Sequence, residues 1–379
     1  MNNSLSYCNT STDSFLTLGW NENWERLFAL FQGPYSPGRV ITAHKTRYDV
    51  LTPTETLSVP ISGAMKAKKR IPVVGDFVAI LQDPETATQM IVSILERKNC
   101  LSRGGAGESA GEQVLAANID TAFIVTEPSH DFSISRLERY LLIVRSSGAT
   151  PVIIMNKSDT CDDMSEFVSL LASELGEIAV IPINALNNTG LEQLNPFLAP
   201  ENTVIFLGSS GVAKSTLINT LTGTSVQKTE DIREDDGKER HTTTVRHLVS
   251  LPSGSCLIDT PGMREIRIWT AEESVQDAFE DIAKFSQRCR FSDCVHEQEP
   301  GCAVRKAVEE GEISAGRLER YKKLLKEAAF ERGKAEIGLK RFEKIRYKGI
   351  SQLANEISGE EKMGCIPVIP DMAELSGPG

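Results

Sequence analysis

Two short runs hold most of the reactive chemistry of this chain. The first, Gly208-Ser209-Ser210-Gly211-Val212-Ala213-Lys214-Ser215-Thr216, spaces glycines, a lysine and hydroxyls like a phosphate-binding loop. Backbone N–H groups of such a loop surround phosphate oxygens, while Lys214 reaches the β and γ phosphates and Ser215 ligates Mg2+. One position departs from G-x-x-x-x-G-K-S/T. Ala213 stands where glycine is expected, and its methyl group is expected to crowd the phosphates or strain the loop. The second run, Asn156-Lys157-Ser158-Asp159, has the groups that read guanine. Asp159 accepts hydrogen bonds from N1 and N2 of the base. Asn156 bonds the base edge and braces the loop, and Lys157 lays its stem along the ring. Polar turns after strands are common, so this run takes its weight from its pairing with the first.

A third run, Asp259-Thr260-Pro261-Gly262, follows the apolar Cys256-Leu257-Ile258 and matches D-x-x-G. Asp259 would hold the Mg2+ shell through water, and the Gly262 N–H would face the γ-phosphate. The polar stretch from Ser225 to His247 contains Arg240-His241-Thr242-Thr243-Thr244. It reads as a switch in which a threonine, Thr243, senses Mg2+ and the γ-phosphate. Met263 follows Gly262, where many GTPases place a water-orienting glutamine, and a thioether cannot orient water by hydrogen bonding. His241 is the best local substitute, since an imidazole accepts from water; a structural or solvent-facing role is its alternative.

Cys289, Cys294, His296 and Cys302 follow in the pattern C-x4-C-x-H-x5-C. Three thiolates and an imidazole complete a tetrahedral Zn2+ shell with no open position, so the metal is structural. From about Ser314 to Lys348 the chain carries twelve basic and five acidic residues, in a protein of net charge −11. The cations include Arg317, Arg320, Lys322, Lys323, Lys326 and Arg332. This local reversal of sign favours RNA phosphate over a merely solvated helix face.

The elements that must position these residues are legible in outline. Residues 1–36 form an extension in which Trp20, Trp24, Leu27, Phe28 and Phe31 recur at helical spacing, as in a helix docked on its own chain. Residues 37–102 read as short strands broken by Gly, Pro and Asp, a small barrel of the OB type with a basic loop at Lys66, Lys68, Lys69 and Arg70. Ser102 to Gly111 reads as a flexible Gly/Ser/Ala linker. From 103 to 270 buried-strand runs alternate with helical periodicity: 121–125, 151–155, 180–183 and 204–207. That alternation means a parallel α/β sheet. Residues 271–348 hold the zinc cluster and basic helix, and 349–379 form a polar tail.

The 379 residues suffice for two or three cores. Without an apolar run of about 18 residues no membrane span is expected. Met1 to Ser14 lacks the features of a secretory signal. Eight cysteines with three clustered fit a reducing cytosol rather than a disulfide framework. A cytoplasmic monomer is expected.

The guanine run precedes the phosphate loop, whereas in ordinary GTPases the loop comes first. The fold class is therefore an α/β P-loop GTPase domain, circularly permuted, with an N-terminal β-barrel (OB-fold) and a C-terminal zinc-binding α-helical module. Residues 37–350 resemble the ribosome small-subunit-dependent GTPases, the RsgA or YjeQ family, in motif order from barrel to zinc cluster. The resemblance implies GTP hydrolysis stimulated by the small (30S) ribosomal subunit, binding of its rRNA, one zinc and a late role in subunit maturation. It carries guanine contacts to Asn156, Lys157 and Asp159, and phosphate contacts to residues 208–216. It also makes His241 a proposed catalytic helper. Three departures stand out: Ala213, Asn184-Ala185-Leu186 in place of Ser-Ala-Leu in the loop over the base, and a weakly basic stretch from Arg103 to Glu108. Two rivals remain: an RNA-binding scaffold with hydrolysis lost through Ala213 and Met263, and an ATP-using enzyme, against which Asp159 argues.

Overall fold

Residues 18–83, 88–104, 112–129, 132–161, 163–209, 211–223, 246–260 and 272–337 are described by the computed structural model, with side chains of 334–337 excepted. Helix α1 (Glu22–Phe28) is capped by Asn21, whose side chain accepts from the N–H groups of Asn23 and Trp24. Its 7 residues are too few to stay helical alone in water. Trp20 and Trp24 hold it by burial against Phe77, with ring centroids 5.5 and 4.3 Å away. The described part of the extension, residues 18–36, thus docks on its own chain, as its helical spacing indicates, and residues 1–17 lie outside the described set.

Five strands then close a barrel: β1 (Tyr35–Ala43), β2 (Tyr48–Leu51), β3 (Thr56–Val59), β4 (Phe77–Asp83) and β5 (Thr88–Ile94). β1 pairs β2 along its second half and β4 along its first, with a register shift between Val40 and Thr42 that bends it across the two. β3 pairs β2, β4 pairs β5, and a parallel bridge between Ile61 and Ile91 completes the circuit. That is the OB-fold circuit, with the short helix α2 (Gly63–Ala67) between β3 and β4. Val40, Val50, Val59, Met65, Val78, Ile80 and Ile91 fill the barrel. Lys66, Lys68, Lys69 and Arg70 are exposed on α2 and the turn after it.

The expected linker is partly a correction. Strand β6 (Cys100–Gly104) pairs with β7 (Glu112–Ala117), so residues 102–104 are ordered in a hairpin, and Val74 bridges Ala116 to tie that hairpin to the barrel. A Ser-Arg-Gly sequence reads as loop by composition, but ladder hydrogen bonds outweigh its weak local preference. Residues 105–111 lie outside the described set.

The α/β domain follows: β8 (Thr121–Thr126), α3 (Ile134–Ser147), β9 (Thr150–Met155), α4 (Met164–Leu175), β10 (Ala179–Pro182), β11 (Thr203–Leu207), α5 (Lys214–Thr222), β12 (His247–Ser250) and β13 (Cys256–Asp259). The sheet runs β10-β9-β8-β11-β13-β12, parallel except for β12. Burial on both faces explains the unbroken apolar runs of β8, β9 and β11. The strand order reverses between β8 and β11, which opens a crevice at their C-terminal ends.

The barrel is sewn to this domain. β1 pairs β12, and Thr42 Oγ1 lies 3.0 Å from His247 Nδ1. Arg39, fully buried, donates to Thr203 Oγ1 at 2.8 Å, to the Gly75 carbonyl and to the Leu18 carbonyl, with its guanidinium 4.6 Å above the Phe77 ring.

Four helices complete the described chain: α6 (Glu272–Ala278), α7 (Glu280–Ser286), α8 (Ala303–Glu309) and α9 (Ala315–Ile337). They share one core with α3, in which Leu137, Leu141 and Val144 belong to the same cluster as Val275, Phe279, Tyr321 and Leu324. Here the reading of the basic helix is corrected at two residues, Arg317 and Arg320. Arg317 clamps Asp281 at 2.6 and 2.8 Å and reaches Glu138 at 3.3 Å. Arg320 bonds Glu138 and Glu174, each at 2.5 Å. Both arginines are mostly covered, so they fasten α9 to α3, α4 and α7 instead of meeting RNA. The sequence shows their charge but not these partners. Lys323, Lys326 and Arg332 stay exposed, and residues from 338 onward lie outside the described set.

Candidate nucleotide site and metal centre

The phosphate loop leaves β11 at the crevice. Gly208 turns with φ 143°, and a Cβ there would sit 2.4 Å from the Val125 carbonyl of β8, so only glycine fits. Ala213 precedes α5 with φ 58° and ψ 34°, the left-handed conformation a glycine takes freely. The loop keeps the glycine geometry and Ala213 accepts the strain, about 1–2 kcal/mol. Lys214 curls back over the loop, donating to the carbonyls of Gly208 (2.7 Å) and Ser209. Ser215 and Thr216 lie in the first turn of α5, where the N–H groups and dipole favour an anion. Val212 is buried beneath.

The guanine run leaves β9 beside this loop. Asn156 is 1% exposed and joins three motifs. Its Nδ2 donates to the Val212 carbonyl at 3.0 Å, and its Oδ1 accepts from the Ala185 N–H at 3.0 Å. Lys157, at φ 56°, points its ammonium to Glu127 at 2.6 Å and to the Gly211 carbonyl at 3.5 Å. The Ser158 N–H donates to the Ile183 carbonyl, and Asp159 is exposed in the turn that follows. Asn184 uses its Oδ1 to accept from the N–H groups of Leu186 (2.9 Å) and Asn187 (3.2 Å), so it shapes the base loop as a serine would. Thr220 on α5 donates to the Ala185 carbonyl at 3.3 Å, closing the ring of contacts. Asp259 ends β13 opposite His247. The Thr260 hydroxyl donates to the Phe206 carbonyl of β11. Ser210, His241, Thr243, Gly262 and Met263 lie outside the described residues.

Two participants escaped the sequence reading. Glu127 directly follows β8 and pairs Lys157; Arg136 on α3 donates to Ser209 Oγ at 3.2 Å. No motif marks them. The available signal was position, since both follow a strand that borders the crevice.

The metal centre sits at the edge of the larger core, which also covers one face of the sheet. The ligand atoms of Cys289, Cys294, His296 and Cys302 lie within 4.8 Å of one another. Nδ1 of His296 is 3.7, 3.4 and 3.4 Å from the sulfurs of Cys289, Cys294 and Cys302, and the Cys289 and Cys302 sulfurs are 3.9 Å apart. Tetrahedral zinc with Zn–S bonds of about 2.3 Å sets sulfurs about 3.8 Å apart, so the four groups fit it. Burial holds the His296 imidazole below the usual histidine value, which keeps it neutral and able to ligate. Its Nε2 meets Ser286 Oγ at 3.0 Å, and its carbonyl accepts from Lys322 at 2.6 Å. Cys302 caps α8, accepting from the Arg305 N–H.

A phosphate loop and a guanine loop brought together in inverted chain order, on a sheet with this strand order, define a circularly permuted P-loop GTPase. Residues 94–269 match the family model described as RsgA GTPase. A protein of Methanosarcina acetivorans named small ribosomal subunit biogenesis GTPase RsgA is 52% identical over 330 residues, spanning 87% of this chain and 89% of its own. The crystal structure of YjeQ from Thermotoga maritima is 26% identical, with TM-score 0.59 over 78% of this chain and 99% of its own. That of YloQ, a circularly permuted GTPase, shares the fold with TM-score 0.56 at 24% identity, over 78% of this chain and 95% of its own. The chain belongs to the RsgA GTPase family.

Proposed function

We propose that the chain hydrolyses GTP during late maturation of the small ribosomal subunit, which it binds through rRNA and which stimulates turnover. The observation that carries the nucleotide assignment is Asn156, one buried side chain bonded to both the phosphate loop and the base loop. In this reading Asp159 accepts from guanine N1 and N2, Lys157 flanks the ring, and Asn184 shapes the loop over the base. Residues 208–216 cradle the phosphates with Lys214. Ser215 and Asp259 hold Mg2+, directly and through water. Thr243 and the Gly262 N–H sense the γ-phosphate, and His241 orients water in place of the glutamine that Met263 displaces. Cys289, Cys294, His296 and Cys302 hold one structural zinc. The names of the relatives support the ribosomal role. No described helix is long and apolar enough to cross a membrane, and we place the protein in the cytoplasm as a monomer.

The rival scaffold reading rests on Ala213 and Met263, of which Met263 lies outside the described residues. The loop forms around Ala213 with Lys214 in place, which favours a working site. Asp159→Asn tests the assignment: turnover should shift from GTP toward xanthosine triphosphate, because an amide presents a donor where guanine also donates. An undiminished preference for GTP would remove Asp159 from the base.

A further inference from the structure

We propose that the loop from Cys289 to His296 is a base-stacking platform, on which Phe291 receives an unpaired RNA base while Arg288 and Arg290 hold the flanking phosphates. The proposal rests on the RNA-binding reading above and names its point of contact.

The loop is tied at both ends. Cys289 and Cys294 turn their sulfurs into the metal cluster, and the Cys294 N–H closes a turn on the Phe291 carbonyl. Side chains between them have no core to enter. Phe291 is 41% exposed and Val295 61%. Among the described residues the other large exposed apolar side chains are scattered, and none is aromatic. A ring held outward on a rigid, metal-tied loop loses little conformational entropy when something stacks on it.

The cations beside it are different from their neighbours. Lys284, Arg305, Lys306, Arg317, Arg320 and Lys326 each face a carboxylate within 4.0 Å. Arg288 and Arg290 have no such partner among the described residues, although Asp293 stands on the same loop. Instead the Arg288 guanidinium lies 5.6 Å from the Phe285 centroid, and that of Arg290 lies 5.5 Å from Phe291. The Arg290 stem is pressed against Gly301, where an added Cβ would meet it at 3.1 Å, and its N–H donates to the Gly301 carbonyl at 3.2 Å. A flat ring with the Arg290 guanidinium over it, and Arg288 two residues earlier on the chain, neither paired with a carboxylate among the described residues, offers what unpaired RNA uses, a stacking face and phosphate ligands. In a chain of net charge −11 the attraction for phosphate has to be local. Two apolar side chains are also too small a patch for a protein partner, whose interface needs several hundred Å2 per side.

The test uses the full-length, zinc-loaded protein with a non-hydrolysable GTP analogue, titrated against purified small subunits. Zinc content per chain serves as the folding control. Phe291→Ala should weaken binding about 5- to 150-fold, the worth of one stacked base. Phe291→Trp should retain the affinity, and Phe291→Leu, apolar but not flat, should lose it like alanine. Arg288→Ala and Arg290→Ala should each lower the slope of log affinity against log salt by about 1, with Phe291→Ala leaving that slope unchanged. Retention by Phe291→Leu alongside loss by Phe291→Ala would point to an apolar protein contact and overturn the proposal. So would equal binding by all variants. A parent that binds no small subunit would sink the ribosomal reading itself, and the platform with it.

Discussion

Replacing Asn156 with alanine should separate the phosphate loop from the base loop. The side chain is buried and makes two good hydrogen bonds, to the Val212 carbonyl and from the Ala185 N–H, both at 3.0 Å. Alanine leaves both backbone groups in place without partners. An orphaned buried donor or acceptor costs about 1–3 kcal/mol, so the pair amounts to about 2–4 kcal/mol after partial rescue by water. Part of that cost falls on local order, because Val212 belongs to the phosphate loop and Ala185 to the loop over the base. Urea unfolding should therefore show a lower midpoint with an unchanged slope, and titration with labelled GDP should show weakened binding. A variant that loses less than about 0.5 kcal/mol and binds GDP like the parent would refute the reasoning, since surface changes give losses of that size.

Other substitutions probe separate links. Ala213→Gly relieves about 1–2 kcal/mol of left-handed strain but loosens the unfolded chain by about 0.4–1 kcal/mol, so stability should be equal to the parent's or higher by up to about 1.5 kcal/mol. Its GTP affinity should be equal or tighter; weaker binding by isothermal titration would show that the methyl group is needed. Chelating zinc, or Cys294→Ser, should raise amide hydrogen exchange across α7 and α8 while β8 and β11 stay protected, because one face of each strand packs in a second core that holds no residue of the zinc module. Uniform exchange with metal removed would contradict the structural role of the centre. Burial holds His247 below the usual histidine value against a smaller upward pull from Asp259. The unfolded chain therefore takes up the proton first as pH falls below about 6.5, and stability present above that value is lost on the way down through the folded value. His247→Gln should flatten this part of the pH dependence in urea titrations; an unchanged profile would remove His247 from it.

The sequence displayed the site better than its supports. Asn156 to Asp159 and Gly208 to Thr216 are contiguous, so the backbone alone sets most of their geometry. The long apolar strands β8, β9 and β11 were visible because burial on both faces leaves an unbroken run. The barrel was legible as short strands over 37–102 without the bounds of β3 and β5, while β7 and β12 were not legible, since short strands are set by their pairing more than by local preference. Arg317 and Arg320 illustrate the same limit. Their charge suggested an outward RNA face, but Glu138 lies on α3 and Glu174 on α4, far away along the chain. Ala213 shows the reverse case: the departure from glycine was visible, while the loop that keeps its left-handed turn regardless needed coordinates.

The central claim is that this permuted site hydrolyses GTP under the control of the small subunit. Phosphate release from GTP by the purified protein, measured with and without purified small subunits, tests it most directly. Slow turnover alone and a marked rise on adding subunits is the expected result. No turnover in either condition, or a rate indifferent to the subunits, would contradict it.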